Sequence, residues 1–322
     1  MSPEVVIKPI GNVGNQMLQV MLAQELIRRV PGLVVGGYGL PDWGLKARDK
    51  PRPLPKRRIL LTGQYLDVDL ISGLLRSGRI KQLEIAALGF KMAHYGPPSA
   101  YQSMFPRQPI DVPLDLRDAL LINVRGAEIL ADTHLDYGPI PVDFYRRLAR
   151  DTGLRPVFMG QVGLDAYSLS LRQAFPEAIV LESRGPMYDF QLMRSARHLV
   201  TSVSTFSWLA AWLSDAKTIH MPVLGMLNPA QRADIDLLPI DDLRYRFYRF
   251  PVRHWMGSEQ QFHELAGPCQ AVPSTVQEMR QLLGEARQSL TIDIQKYRRR
   301  LQLHAWLHSV FGTGACIGLR PR

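Results

Sequence analysis

The sequence predicts an α/β protein of two Rossmann-like domains, built on parallel, doubly wound sheets, with a helical C-terminal tail. Three observations carry this. The chain opens on a short apolar run, a glycine turn and an amphipathic segment. Its second half alternates apolar runs with segments of helical periodicity, at repeats of roughly 20–35 residues. Its 322 residues suit one large domain or two ordinary ones.

The first apolar run, Val5–Ile10, reads as a strand and Gly11-Asn12-Val13-Gly14 as the turn after it. In Asn15–Val30, Met17, Leu18, Met21, Leu22, Leu26 and Ile27 recur at helical spacing, and Pro31-Gly32 ends the helix. Residues 33–58 are irregular and rich in Gly and Pro. Arg58–Thr62 reads as a strand, and Leu70–Arg76 and Ile80–Leu88 as helices. Scattered prolines over 95–118 place a domain boundary near 110–118, giving domains 1–115 and 116–255 and a tail 256–322. In the second domain Ala119–Val124, Pro156–Met159, Ile179–Glu182, Leu199–Ser202 and Lys217–Met221 read as strands. Helices are expected between them at Val142–Arg150, Ala166–Phe175, Tyr188–Arg197 and Ser204–Ser214, with one or two more in Ser274–Ser309.

Composition narrows the class. At 46% hydrophobic and 21% charged, the chain is neither disordered nor fibrous. No apolar run approaches the ~18–20 residues of a membrane span. The N-terminus lacks the basic region and apolar stretch of a signal peptide. Two cysteines, Cys269 and Cys316, cannot build a disulfide framework or a zinc knuckle. A soluble, cytoplasmic protein is the expectation.

The net charge of +10 is concentrated. Residues 46–58 hold seven basic residues and one acidic, and so do residues 286–322, which leaves the rest of the chain slightly acidic. Such patches suit an anionic partner or are simply solvated surface. No nucleic-acid motif accompanies them, so nucleic acid is not the expected partner.

Parallel sheets bind ligands beyond the carboxyl ends of their strands, and three strand ends stand out. The first is Gly11-Asn12-Val13-Gly14-Asn15-Gln16, where glycines admit a close ligand and a helix N-terminus favours an anion, although Asn15 and Gln16 equally suit a helix cap. The second is Asn123-Val124-Arg125-Gly126-Ala127-Glu128, where the rigid fork of Arg125 suits a phosphate and Glu128 a base or an orienter. The third is Thr201-Ser202-Val203-Ser204-Thr205-Phe206-Ser207-Trp208, where hydroxyls and free amides converge as in a diphosphate cradle, or as an ordinary helix cap with Phe206 and Trp208 packing. Two further patterns read as structural. Asp234-Ile235-Asp236 lacks the early-strand context of a metal motif, and His304 and His308 lack a third ligand.

These segments resemble the alpha-1,2-fucosyltransferase family of GDP-fucose-dependent inverting enzymes. Gly11–Gln19 matches that family's GG-x-GNQM-x-Q segment, with Asn12 in place of the second glycine. Leu61-Thr62-Gly63-Gln64-Tyr65 loosely echoes its L-x-GY-W-Q segment. Asn123–Glu128 stands where the family has H-[IV]-R-R-G-D, and Arg125 matches the first arginine. The most specific match runs from Asp189-Phe190-Gln191-Leu192-Met193 through His198 to Ser204–Leu213, in the order of the family's STFSWW-x-AWL region. Lys217–Pro222 and Asp234–Pro239 resemble its closing segments. The likeness spans roughly residues 5–250.

The resemblance implies a B-type glycosyltransferase fold, two Rossmann-like domains facing a cleft. The N-terminal domain would take the acceptor, a glycan or lipid-linked glycan, and domain 116–255 the sugar nucleotide. Gly11, Asn12, Gly14, Asn15, Gln16, Asn123, Arg125, Ser202, Ser204, Thr205 and Phe206 would bind the donor, GDP-fucose. Arg125 would neutralise the leaving diphosphate, and Glu128, then Asp132, is the candidate base. Neither a metal nor another cofactor is expected, since arginine and helix dipole take the place of a divalent ion. The departures are specific: Asn123 replaces a histidine, Gly126 an arginine and Glu128 an aspartate, and Phe158-Met159-Gly160-Gln161 lacks the family's strand-end carboxylates. The missing histidine at 123 and arginine at 126 motivate the alternative of a catalytically weak subunit that binds or scaffolds in glycan assembly. The basic segments 46–58 and 286–322 add peripheral contact with the inner face of the membrane as a further expectation.

Overall fold

The computed structural model describes residues 2–46, 57–112, 114–130 and 135–319. The chain divides into two compact units: residues 1–106, 233–237 and 285–322 form unit 1, and residues 107–232 and 238–284 form unit 2.

Unit 1 begins with β1 (Glu4–Ile7), helix α1 (Val13–Arg29) and β2 (Val34–Gly36). A small antiparallel ribbon follows, β3 (Gly39–Leu40) and β4 (Leu45–Lys46). Then come β5 (Ile59–Gly63), α2 (Val68–Arg76) and β6 (Gln82–Ala87). Asp67 caps α2, its carboxylate accepting from the Leu70 amide at 3.0 Å. The segment expected to be helical at Ile80–Leu88 is therefore the strand β6, which lies between β5 and β1. Leu83, Ile85 and Ala87 alternate into the core, the period of a strand.

Unit 2 opens with β7 (Ala119–Val124), buried along its whole length as a central parallel strand should be. It continues through α3 (Val142–Thr152), β8 (Arg155–Gly160), α4 (Ala166–Ala174), β9 (Ile179–Val180), α5 (Pro186–Ser195) and β10 (His198–Val200). Next come α6 (Thr205–Trp212), β11 (Thr218–Val223), β12 (Tyr245–Arg249), α7 (Glu259–Ala266), β13 (Val272–Ser274) and α8 (Val276–Ser289), of which residues 276–284 belong to this unit. The strand order is β13-β12-β11-β10-β7-β8-β9, parallel except for β13 against β12. The chain thus runs outward from β7 to β9, then returns to the other side of β7 and runs outward again. The direction reverses between β7 and β10, the switch point at which such sheets hold ligands.

From residue 285 the chain belongs to unit 1, with α9 (Thr291–Phe311) and β14 (Ala315–Gly318). β14 pairs in parallel with β5 and completes the sheet β14-β5-β6-β1-β2. Leu290, Tyr297, Leu301, Ala305, Ile317 and Leu319 join Val5, Ile7, Leu22, Leu61 and Ile85 in one core. Residues 256–322 therefore form no unit of their own, because their apolar side chains are needed in both cores. Among the described residues no helix is long and apolar enough to cross a membrane.

Candidate functional site

The switch point of unit 2 is tied together by side chains from both of its strands. Asn123, near the end of β7, is buried and accepts a hydrogen bond from the Ser202 hydroxyl at 2.7 Å. The Ser202 amide in turn donates to the Ser207 hydroxyl at 3.0 Å, so the segment after β10 is fastened to the first turn of α6. Ser204 is the N-cap of α6, and its hydroxyl accepts from the Phe206 amide at 3.2 Å. Thr205 is buried at the helix start, Phe206 packs on Phe190 with centroids 5.4 Å apart, and Trp208 is fully buried, stacked on Trp212. Capping and packing thus account for much of this hydroxyl-rich segment, while the helix N-terminus still faces the carboxyl side of the sheet.

Arg125 is the charged group at this point. One of its Nη1 protons goes to the Val203 carbonyl at 3.1 Å, and the guanidinium lies over the Tyr137 ring at 4.7 Å. The contact with Val203 again bridges β7 and β10. Burial raises the Tyr137 phenol above its ordinary range, and the charges of Arg125 and Arg232 oppose that rise. The ring is therefore a neutral shelf for the cation. Asp136, beside Tyr137, is neutralised by Arg232 at 2.6 Å and receives Gln231 at 3.1 Å.

The backbone after β7 is closely held. The Gly126 amide donates to Gln161 Oε1 at 3.0 Å, and the Gln161 amide to the Val124 carbonyl at 2.9 Å. Gly160 has φ +94°, and a Cβ there would lie 2.4 Å from the Val124 carbonyl oxygen, so this strand end requires glycine. Ala127, at φ 43°, is the one non-glycine residue of positive φ among the described residues. Strain of that kind, costing of order 1–3 kcal/mol, gathers at ligand sites. Glu128 lies in the 3-10 turn Ala127–Ile129. Its side chain and Asp132 lie outside the described residues.

In unit 1 the glycine loop follows β1 as expected. Gly11 has φ +67°, and a Cβ there would meet the Asn15 amide at 2.2 Å. Asn12, not Asn15 or Gln16, is the N-cap of α1, and its side chain makes no capping bond. The Gln16 side chain instead turns back to the Gly11 carbonyl at 2.9 Å. Gly14 is buried in the first turn, where a small residue suits close packing. The buried amide of Gln19 accepts from the Ile10 amide at 3.0 Å and donates to the carbonyls of Lys8 and Ala87 at 3.0 and 3.1 Å. It joins the ends of β1 and β6, where the strand order of this sheet also reverses.

Sequence reasoning put Asn123 and Arg125 at one strand end and Ser202 at another, and the structure joins the two ends through the Ser202–Asn123 and Arg125–Val203 hydrogen bonds. It missed Tyr137, Gln161 and Gln19 as partners. Gln161 was visible only as a missing carboxylate, and nothing in the sequence around Tyr137 marks it. The Asp-x-Asp pair is structural in its second member, since Asp236 is bound by Arg287 at 2.8 Å and its backbone pairs with Phe90 and Met92. Among the described residues no three His, Cys, Asp or Glu side chains gather where a metal ion would sit.

No family model matches the chain, and no curated protein matches it. Among solved structures it is similar to the E. coli heptosyltransferase WaaC with ADP, at 13% identity and a TM-score of 0.36, over 88% of this chain and 98% of that one. A likeness so remote carries no argument about activity, which rests on the residues themselves.

Proposed function

We propose that the chain is a glycosyltransferase that transfers a sugar, fucose from GDP-fucose, to a glycan hydroxyl by a metal-independent inverting displacement. The observation that carries the reading is Arg125, fixed on Val203 and Tyr137 at the switch point, beside the N-terminus of α6. Here a diphosphate meets a fixed cation and the positive end of a helix. As the bond from the anomeric carbon to the diphosphate oxygen breaks, negative charge grows on the leaving group. A cation already held in place stabilises it without reorganising. Glu128, or Asp132, takes the proton of the acceptor hydroxyl, whose oxygen forms the new bond on the opposite face of the sugar. One displacement inverts the centre and releases GDP.

The donor assignment rests on the resemblance of Ser204–Leu213 to the fucosyltransferase pattern. Thermal shift against a panel of GDP-, UDP-, ADP- and CMP-sugars tests it, because a ligand that binds only the folded state raises the melting temperature. GDP and GDP-fucose should stabilise the protein. Stabilisation by another nucleotide sugar alone would replace the donor. Stabilisation by none would leave the scaffold reading in possession.

A further inference from the structure

Helix α9 carries a second, outward-facing apolar surface. Its inner face is spent on the core of unit 1 through Tyr297, Leu301 and Ala305, all buried at i, i+4 and i+8. On the opposite face Leu303, Trp306 and Val310 are 53%, 53% and 54% exposed, at i, i+3 and i+7. Phe311, 63% exposed, closes the stripe by packing edge-on against Trp306, with centroids 6.0 Å apart. A helix resting in water places polar residues here.

The outer face also changes character along its length. Its N-terminal half presents Lys296, Arg299 and Arg300, all exposed. Lys296 reaches Asp293, the one acidic residue of the helix, at 3.6 Å. Arg299 and Arg300 form no ion pair with any described residue, whereas Arg298, turned toward the body of unit 1, binds Asp67 at 2.5 Å. The exposed face is thus apolar and aromatic at its C-terminal end and carries three cations in its N-terminal half, where Ile292, 63% exposed, adds a further apolar side chain.

We propose that α9 seats the protein on an anionic lipid surface. Leu303, Trp306, Val310 and Phe311 enter the boundary between headgroups and acyl chains, and Lys296, Arg299 and Arg300 lie on the lipid phosphates and carboxylates. The charge complementarity is that of an in-plane interfacial helix, and tryptophan is the residue best suited to such a boundary. A second copy of the chain fits worse. Four half-exposed side chains offer roughly 400 Å², against the ~800 Å² per partner of a stable interface.

Co-sedimentation of the full chain with vesicles tests the proposal, comparing phosphatidylcholine alone with phosphatidylcholine containing phosphatidylserine. The chain should bind the mixed vesicles and bind pure phosphatidylcholine about tenfold more weakly. Leu303→Ser with Trp306→Ser should weaken binding to the mixed vesicles by about tenfold or more. Arg299→Glu with Arg300→Glu should abolish the preference for phosphatidylserine. All four positions are exposed, so unchanged thermal melts are expected to confirm that the variants fold. Absence of binding to the mixed vesicles, or binding unmoved by either double variant, overturns the proposal. So does a dimer in light scattering that becomes monomeric in the Leu303/Trp306 variant, which would assign the stripe to a second copy.

Discussion

Arg125 donates to the Val203 carbonyl and lays its plane on the Tyr137 ring, an arrangement that fixes the cation. A hydrogen bond of this kind contributes about 1 kcal/mol net, whereas a preorganised donor at a developing anion contributes about 10²–10³ in rate. Arg125→Ala is therefore expected to lower turnover by at least about a hundredfold while moving the melting temperature only slightly. Arg125→Lys should not restore the rate, since an ammonium reproduces neither the fork nor the stacking. Steady-state kinetics beside thermal melts separate the two effects. Gly160 behaves in the opposite sense. Its positive φ and its nearness to the Val124 carbonyl leave no room for a Cβ. Gly160→Ala should cost about 1–3 kcal/mol in urea unfolding, and it should disturb the Gln161 contacts that hold Gly126.

At the scale of elements, the strands and helices of unit 2 were legible because each obeys one period over enough residues. Ala119–Val124 is apolar throughout, and the α3 and α4 segments repeat every three to four residues. Ile80–Leu88 was not legible. Ile80, Leu83 and Ala87 fit a helix, Leu83, Ile85 and Ala87 fit a strand, and a nine-residue window cannot separate the two periods. Sheet pairing on both sides decides for β6. The tail was half legible. Its helices show in the sequence, but β14 is four residues of small and apolar type whose only signal is a partner more than 250 positions away in the chain. Of the candidate site, the strand-end position of Arg125 could be read, because topology follows from alternation. Tyr137 could not, since it reaches the cation through a loop with no period. The integration of the tail gives a test. Leu301 is fully buried in the core of unit 1, so Leu301→Ala should cost about 2–5 kcal/mol, measured by urea unfolding. A loss below about 0.5 kcal/mol, the range of surface substitutions, would mean that α9 is an appendage.

For the molecule as a whole, the dispersed titratable groups set a dependence on pH that both units share. Burial pushes the His94 imidazole in unit 1 down to about 4, with Lys91 and Arg29 adding to the effect and the Gly89 carbonyl opposing it. Burial pushes His220 in unit 2 down to about 4 as well, aided by His198 and Arg246. An unfolded chain protonates these rings near the ordinary value of about 6.5. Between 6.5 and 4 the unfolded state binds more protons, so stability is full above about pH 6.5 and falls as the pH drops toward 4. By pH 5 each ring should have cost on the order of 2 kcal/mol, above the range where carboxylates begin to protonate. Urea unfolding at pH 7.5, 6 and 5 checks this, and a flat profile would contradict the neutral burial of both rings. The basic excess resolves at this scale too. Arg58 pairs with Glu84, Arg287 with Asp236 and Arg298 with Asp67, while the outer face of α9 keeps its cations exposed.

The claim that joins these scales is that Arg125, at the switch point of unit 2, holds the diphosphate of a sugar nucleotide. Calorimetric titration of GDP-fucose into the wild-type chain and into Arg125→Ala tests it most directly. The wild type should bind saturably and the variant about tenfold or more weakly, through the loss of one charge-assisted contact. No binding of GDP-fucose by the wild type, or equal affinity in the two proteins, would contradict it.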